Sequence, residues 1–307
     1  MRDLLEKQRK VRVLTIRPIL AALAFVMSIV GCATITPDLP SITDAPTGER
    51  HSGKIVWHDL LTNTPAESRR FYSELFGWEF EKPGIDLGFG GETSYMLIRY
   101  DGRLIGGMVD TNSLGKKDNI SQWVTIMSVG DVQSAASDIV GSGGKVLTPP
   151  TEMKSRGTLA IVEDSTGAVF AMIQTKDGDP ADSKPVLNDF LWDELWTDDV
   201  DKASRFYHDV VGYEREDHDI EDSERDYHVL KIDGEPRAGV LVNPFEGERP
   251  VWVNYIRVAD PAAITARVED LGGQILVEAQ ARAIGGQVAF IAGPSGAGIA
   301  LQTWPLN

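Results

Sequence analysis

Trp57-His58-Asp59-Leu60 recurs 135 positions later as Trp192-Asp193-Glu194-Leu195. On an extended chain residues two apart share a face, so Asp59 lies beside Trp57 and Glu194 beside Trp192, while His58 and Asp193 point the other way. A carboxylate against an indole is partly withdrawn from water. That suits it to act as a general base or to hydrogen-bond a ligand. Its plainer role is to cap amides or to pair with an arginine across the sheet. Trp123 and Trp252 are the next candidates for an aromatic wall that stacks a ligand, against core packing between modules as the alternative. His58 and Asp59 make no nucleophilic dyad, because neighbours on a strand face apart, and no Gly-x-Ser-x-Gly elbow occurs. The acidic stretch 214–226, with His218 within it and His228 just after it, lacks the spacing of a calcium loop and reads as solvated. The glycine-rich 293–298 lacks the Lys-Ser/Thr ending of a phosphate loop and reads as a turn.

The elements that position these residues repeat. Residues 55–80 align without gaps on 190–215, with Trp57/Trp192, Leu60/Leu195, Arg70/Arg205, Phe71/Phe206, Tyr72/Tyr207 and Gly77/Gly212 identical. The match continues through Tyr95/Tyr227, Gly107/Gly239, Trp123/Trp252 and Gly143-Gly144/Gly272-Gly273. Each copy reads as strand, helix, three strands, then the same again. Phe71, Tyr72, Leu75 and Phe76 form the apolar face of the first helix, and Gly77 stops it. Asp101-Gly102 and Asp233-Gly234 mark tight hairpins. The expected architecture is α+β, four βαβββ modules arranged as two domains, 53–175 and 188–305, joined by a polar linker at 176–187.

The N-terminus carries a basic segment, an apolar run of about a dozen residues and Ile29-Val30-Gly31-Cys32. The run is short of the ~20 residues that span a bilayer. The pattern resembles a bacterial lipobox, which implies a signal peptide at 1–31, lipidation of Cys32 (a palmitate-bearing lipoprotein) and a flexible tether at 32–52. In a Gram-negative cell, Ala33 after the cysteine implies the periplasmic side of the outer membrane. Cys32 is the one cysteine in 307 residues, so no disulfide framework is expected. With 30 basic against 46 acidic residues the net charge is −16, which argues against nucleic acid as a partner.

In their order, Phe71-Tyr72 and Phe206-Tyr207, Gly77-Trp78 and Gly212-Tyr213, the paired glycines and Asp164-Ser165-Thr166-Gly167 resemble the vicinal oxygen chelate superfamily of glyoxalases, bleomycin-resistance proteins and extradiol dioxygenases. The Trp-x-Asp/Glu-Leu openings are similar to a branch related to lactoylglutathione lyase. The resemblance implies cupped sheets around a small-molecule cleft. It also implies a divalent ion at positions that fall here on Trp57, Val124 and Ala171 and on Trp192, Val253 and Ala300, none of which binds a hard cation. The expectation is therefore a lipid-anchored small-molecule binder with metal-poor cups walled by Trp57, Trp192, Trp123 and Trp252, and no cofactor. One alternative is a lyase or isomerase using Asp59 or Glu194 as base, and the other is a structural module of the cell envelope. The two copies are expected to pack as the dimer of single-copy relatives does, leaving the chain a monomer.

Overall fold

The computed structural model describes residues 38–83, 95–114, 119–218, 227–282 and 285–303. Cys32 and the expected signal peptide at 1–31 lie outside these residues.

In the first half, β1 (Ile55–Thr62), α1 (Pro65–Phe76), β2 (Glu79–Glu81), β3 (Tyr95–Tyr100) and β4 (Arg103–Asp110) form one module. The second is β5 (Gln122–Ser128), α2 (Val132–Gly141), β6 (Lys145–Met153), β7 (Gly157–Glu163) and β8 (Val169–Thr175). The second half repeats this with β9 (Phe190–Thr197), α3 (Val200–Val211), β10 (Glu214–His218), β11 (Tyr227–Ile232) and β12 (Glu235–Val242). It closes with β13 (Val251–Arg257), α4 (Pro261–Val268), β14 (Gln274–Ala281), β15 (Gln287–Ala292) and β16 (Gly298–Gln302). The duplicated βαβββ architecture is thus present in full. Residues 214–218, expected in a solvated loop, instead form edge strand β10, where Asp217 meets His228 and Glu216 meets Lys231.

Each half is one eight-stranded sheet, ordered β2-β3-β4-β1-β5-β8-β7-β6 and β10-β11-β12-β9-β13-β16-β15-β14. The two modules join where β1 runs antiparallel to β5, and β9 to β13. Local chemistry sets the elements. Asp131, Asp199 and Asp260 accept hydrogen bonds from the first-turn amides of α2, α3 and α4, while Gly77 and Gly212 end α1 and α3 in the left-handed conformation. Asp101-Gly102 and Asp233-Gly234 have positive φ at both residues, as a type I′ hairpin needs.

Alternation sends one face of the central strands into a cup and the other toward the opposite half. The outward faces and helices α1 to α4 form two shared cores. In one, α2 packs on α3 with Phe170, Phe206, Tyr207 and Trp252. In the other, α1 packs on α4 with Phe71, Tyr72, Trp78 and Trp123. The paired glycines explain themselves here. A Cβ on Gly144 would lie 2.9 Å from Phe206, and one on Gly273 would lie 2.5 Å from Phe71, so each half gives way at the same place to the other half's helix.

Candidate functional site

The first cup holds a carboxylate cluster. Asp59 Oδ1 accepts from Trp57 Nε1 at 2.8 Å and from the Tyr95 hydroxyl at 2.8 Å. Arg156, fully buried, donates to the Tyr95 hydroxyl at 2.8 Å, and its Nη1 stands 3.7 Å from Asp59 Oδ2. The second cup holds the same cluster, with more donors. Glu194, fully buried, accepts from Tyr227 at 2.9 Å, Tyr255 at 2.5 Å, Trp196 Nε1 at 3.3 Å and Arg282 Nη2 at 2.5 Å, and Trp192 Nε1 donates to Tyr227. Burial raises the pKa of Tyr95, Tyr227 and Tyr255, and the neighbouring carboxylate adds to this, so all three remain donors. Burial alone would lower the pKa of Arg282, but Glu194 outweighs it and the net shift is upward.

Sequence reading places Asp59, Glu194, Trp57 and Trp192 in the cups but misses Arg156 and Arg282. Both arginines sit in the turn before the third strand of a module. That turn has a different length in the two copies, so the alignment does not pair them. Tyr95 and Tyr227 are visible as identical pairs, and so are the glycines that make room for them. A Cβ on Gly107 would lie 2.0 Å from the Tyr95 hydroxyl, and one on Gly239 would lie 2.4 Å from that of Tyr227.

Two expectations need correction. Trp123 and Trp252 do not wall the cups. They belong to the shared cores, where Trp123 Nε1 donates to Tyr72 at 3.0 Å and Trp252 Nε1 to Tyr207 at 2.8 Å. Alternation requires this, because Val124 and Val253, one residue on, face the cups. Nor are residues 38–52 a free tether. Thr47, Gly48 and Glu49 bond with the backbone of Asp177 and Asp179 in the linker, and Leu39 and Ile42 are 8% and 3% exposed inside the first cup.

That segment makes the cups unequal. Leu159 and Ile161 of β7 are buried, whereas their equivalents Val288 and Phe290 of β15 are half-exposed; likewise Trp57 is buried and Trp192 is not. Among the described residues no segment enters the second cup. Its wall is Trp192, Trp196, Phe245 and Phe290, the last three in mutual ring contact. At its polar end the Gln302 Oε1 accepts from Arg282, which fixes the amide's orientation, and the buried Nε2 has no partner. The first cup has Ile173 at the matching position.

Trp57, Val124 and Ala171 lie in the apolar core of the first cup, as do Val253 and Ala300 in the second, where Trp192 packs against them. These side chains carry no ligand atom for a hard cation, and the carboxylate beside them faces a guanidinium. The donor set does not fit the ion that the resemblance implies. Among the described residues no three His, Cys, Asp or Glu side chains are grouped to hold a metal.

A sequence model of the Glyoxalase/Bleomycin resistance protein/Dioxygenase superfamily matches residues 54–172 and 188–301. The chain is 27% identical over 249 residues to the "Putative glyoxylase CFP32" of Mycobacterium tuberculosis, covering 81% of this chain and 94% of that one. To the anthracycline biosynthesis protein DnrV of Streptomyces peucetius it is 28% identical over 261 residues, covering 81% and 92%. The fold is also that of the Mn(II)-bound glyoxalase from Novosphingobium aromaticivorans, with a TM-score of 0.57 at 14% identity over 83% of each chain. With two matched domains built as duplicated βαβββ sheets, the chain belongs to the Glyoxalase/Bleomycin resistance protein/Dioxygenase superfamily.

Proposed function

We propose that the protein binds a small aromatic molecule in its second cup, without a divalent ion, and that the first cup does not share this role. The inequality of the cups carries the reading: Leu39 and Ile42 fill one, while Trp192, Phe245 and Phe290 stand half-exposed in the other. Apolar rings beside a few convergent polar groups are what a small-molecule site needs. The unpartnered Gln302 amide favours a ligand with an acceptor oxygen, such as a phenol, quinone or aromatic acid. The relative named for anthracycline biosynthesis is consistent with an aromatic ligand.

The test is a titration of aromatic acids, phenols and quinones followed by tryptophan quenching. A binder that weakens at least tenfold on Phe290→Ala, and is unchanged by Trp123→Phe, supports the reading. Binders indifferent to Phe290→Ala overturn it.

A lyase or isomerase role rests on the glyoxylase name of a relative and on the buried Glu194. Glu194 has four donors on its two oxygens, and a general base needs a free lone pair toward its substrate. Binding therefore ranks first. We further propose lipidation at Cys32 and an envelope location, tested by mass spectrometry of the mature N-terminus and by loss of membrane association in Cys32→Ser. No helix among the described residues is long and apolar enough to cross a membrane.

A further inference from the structure

The segment in the first cup is held at several points by side chains of the cup. Asp38 accepts from the Ser155 amide at 2.7 Å and from the Ser155 hydroxyl at 3.0 Å. Arg156 Nε donates to the Pro40 carbonyl at 2.8 Å. Leu39 and Ile42 pack in one cluster with Trp57, Tyr95, Met153 and Leu159. Between 38 and 45 no backbone–backbone hydrogen bond ties the segment to the sheet; the first to the rest of the chain runs from the Thr47 amide to the Asp179 carbonyl in the linker. The second half builds the equivalent cup with no such segment among its described residues, so a cup of this kind does not require one to form.

We propose that the first cup is a peptide-binding site. It reads an extended segment with an acidic residue, an apolar residue, proline and a second apolar residue two positions on. Asp38–Leu39–Pro40–Ser41–Ile42 fills it in cis, and the same sequence from outside can take its place. The cup supplies an amide and a hydroxyl for the acid, a guanidinium for a main-chain carbonyl, and an apolar floor for two side chains. The proline holds the segment extended before it binds, which lowers the cost of ordering it. The link to the body is only a few residues long, so the cis segment is present at an effective concentration of about 1 mM. A site with a Kd of about 10 μM would then be about 99% self-filled, and an outside peptide would bind the intact chain about 100-fold more weakly than an emptied one. This inference stands independently of what the second cup binds.

The experiment places a thrombin site between Asp44 and Ala45 of the full chain, so that the protein folds with the segment in place before it is cut. After cleavage and gel filtration, a fluorescent peptide of residues 38–45 is titrated by anisotropy. The cut chain should bind it, the intact chain about 100-fold more weakly, and peptides carrying Asp38→Asn or Leu39→Asp should lose at least tenfold. Three results would each overturn the inference: no binding to the emptied cup, equal binding of the altered peptides, or loss of near-ultraviolet circular dichroism on cleavage, which would make the segment part of the core. An intact-chain Ile42→Asp variant that binds the peptide as tightly as the cut chain supports it independently of proteolysis.

Discussion

His58 Nε2 donates to Asp193 Oδ1 at 2.9 Å, although the two residues occupy the same position in their respective copies. Asn254 Nδ2 donates both to Asp193 and to Thr125, its own equivalent in the first half, at 2.5 and 2.7 Å. His58 also stacks on Phe190 at 3.9 Å. Four residues at two equivalent positions therefore meet where the halves are related by pseudo-twofold symmetry. Duplication followed by divergence has turned what would be like against like into donor against acceptor.

Removing one member of this cluster leaves the others buried and unpaired. Asp193→Ala should lower unfolding stability by about 3 kcal/mol, and the double variant with His58→Leu should lose less than the sum of the single losses. Urea denaturation of the four chains in the cycle measures the coupling; strict additivity would show that the contact contributes nothing.

In the second cup, Glu194→Gln should cost about 3 kcal/mol, because it leaves the Arg282 guanidinium buried without its counter-charge. Pairing it with Arg282→Met should restore part of the loss. Thermal unfolding of the two variants decides it, and a Glu194→Gln chain as stable as the parent would count against the ion pair.

Trp123→Phe should cost about 1–2 kcal/mol by losing the hydrogen bond to Tyr72 and leaving space in the shared core, with ligand affinity unchanged. Phe290→Ala should show the reverse pattern, with little change in stability and a large change in affinity, since its ring is half-exposed. Parallel melting curves and ligand titrations separate the two.

Asp182, in the linker, bridges Lys54 of the first half and Arg237 of the second. Burial alone would raise its pKa, but the hydrogen bonds and charges of those two cations outweigh it and hold the pKa below the ordinary value. A depressed carboxylate contributes stability that is present above its unfolded pKa of about 3.9 and is lost as the pH falls through the folded value. Asp182→Asn should thus lower stability near neutrality by no more than about 0.5 kcal/mol, given its exposure, and the difference from the parent should shrink as the pH falls below the unfolded value of about 3.9. Denaturation midpoints across pH 2–7 test this.

The duplicated signature was legible because helix stops, hairpin turns and close-approach glycines are local requirements: Gly77, Asp101-Gly102 and Gly144 must be what they are wherever the rest of the chain lies. Strand parity likewise put Asp59 and Glu194 beside their indoles. Parity applied to Val124 and Val253 would also have turned Trp123 and Trp252 away from the cups, since a strand cannot send adjacent residues to one face. Other features belong to the tertiary structure alone. Arg156 and Arg282 reach their carboxylates from turns of unequal length, distant in sequence. His58 finds Asp193 only because the two sheets pack back to back. Residues 38–42, with no periodicity of their own, carry two apolar side chains and an acid that acquire meaning only against Ser155, Arg156 and the floor of the first cup. Local rules fix which elements form and which face each residue takes; which side chains then meet depends on the docking of surfaces far apart in the chain.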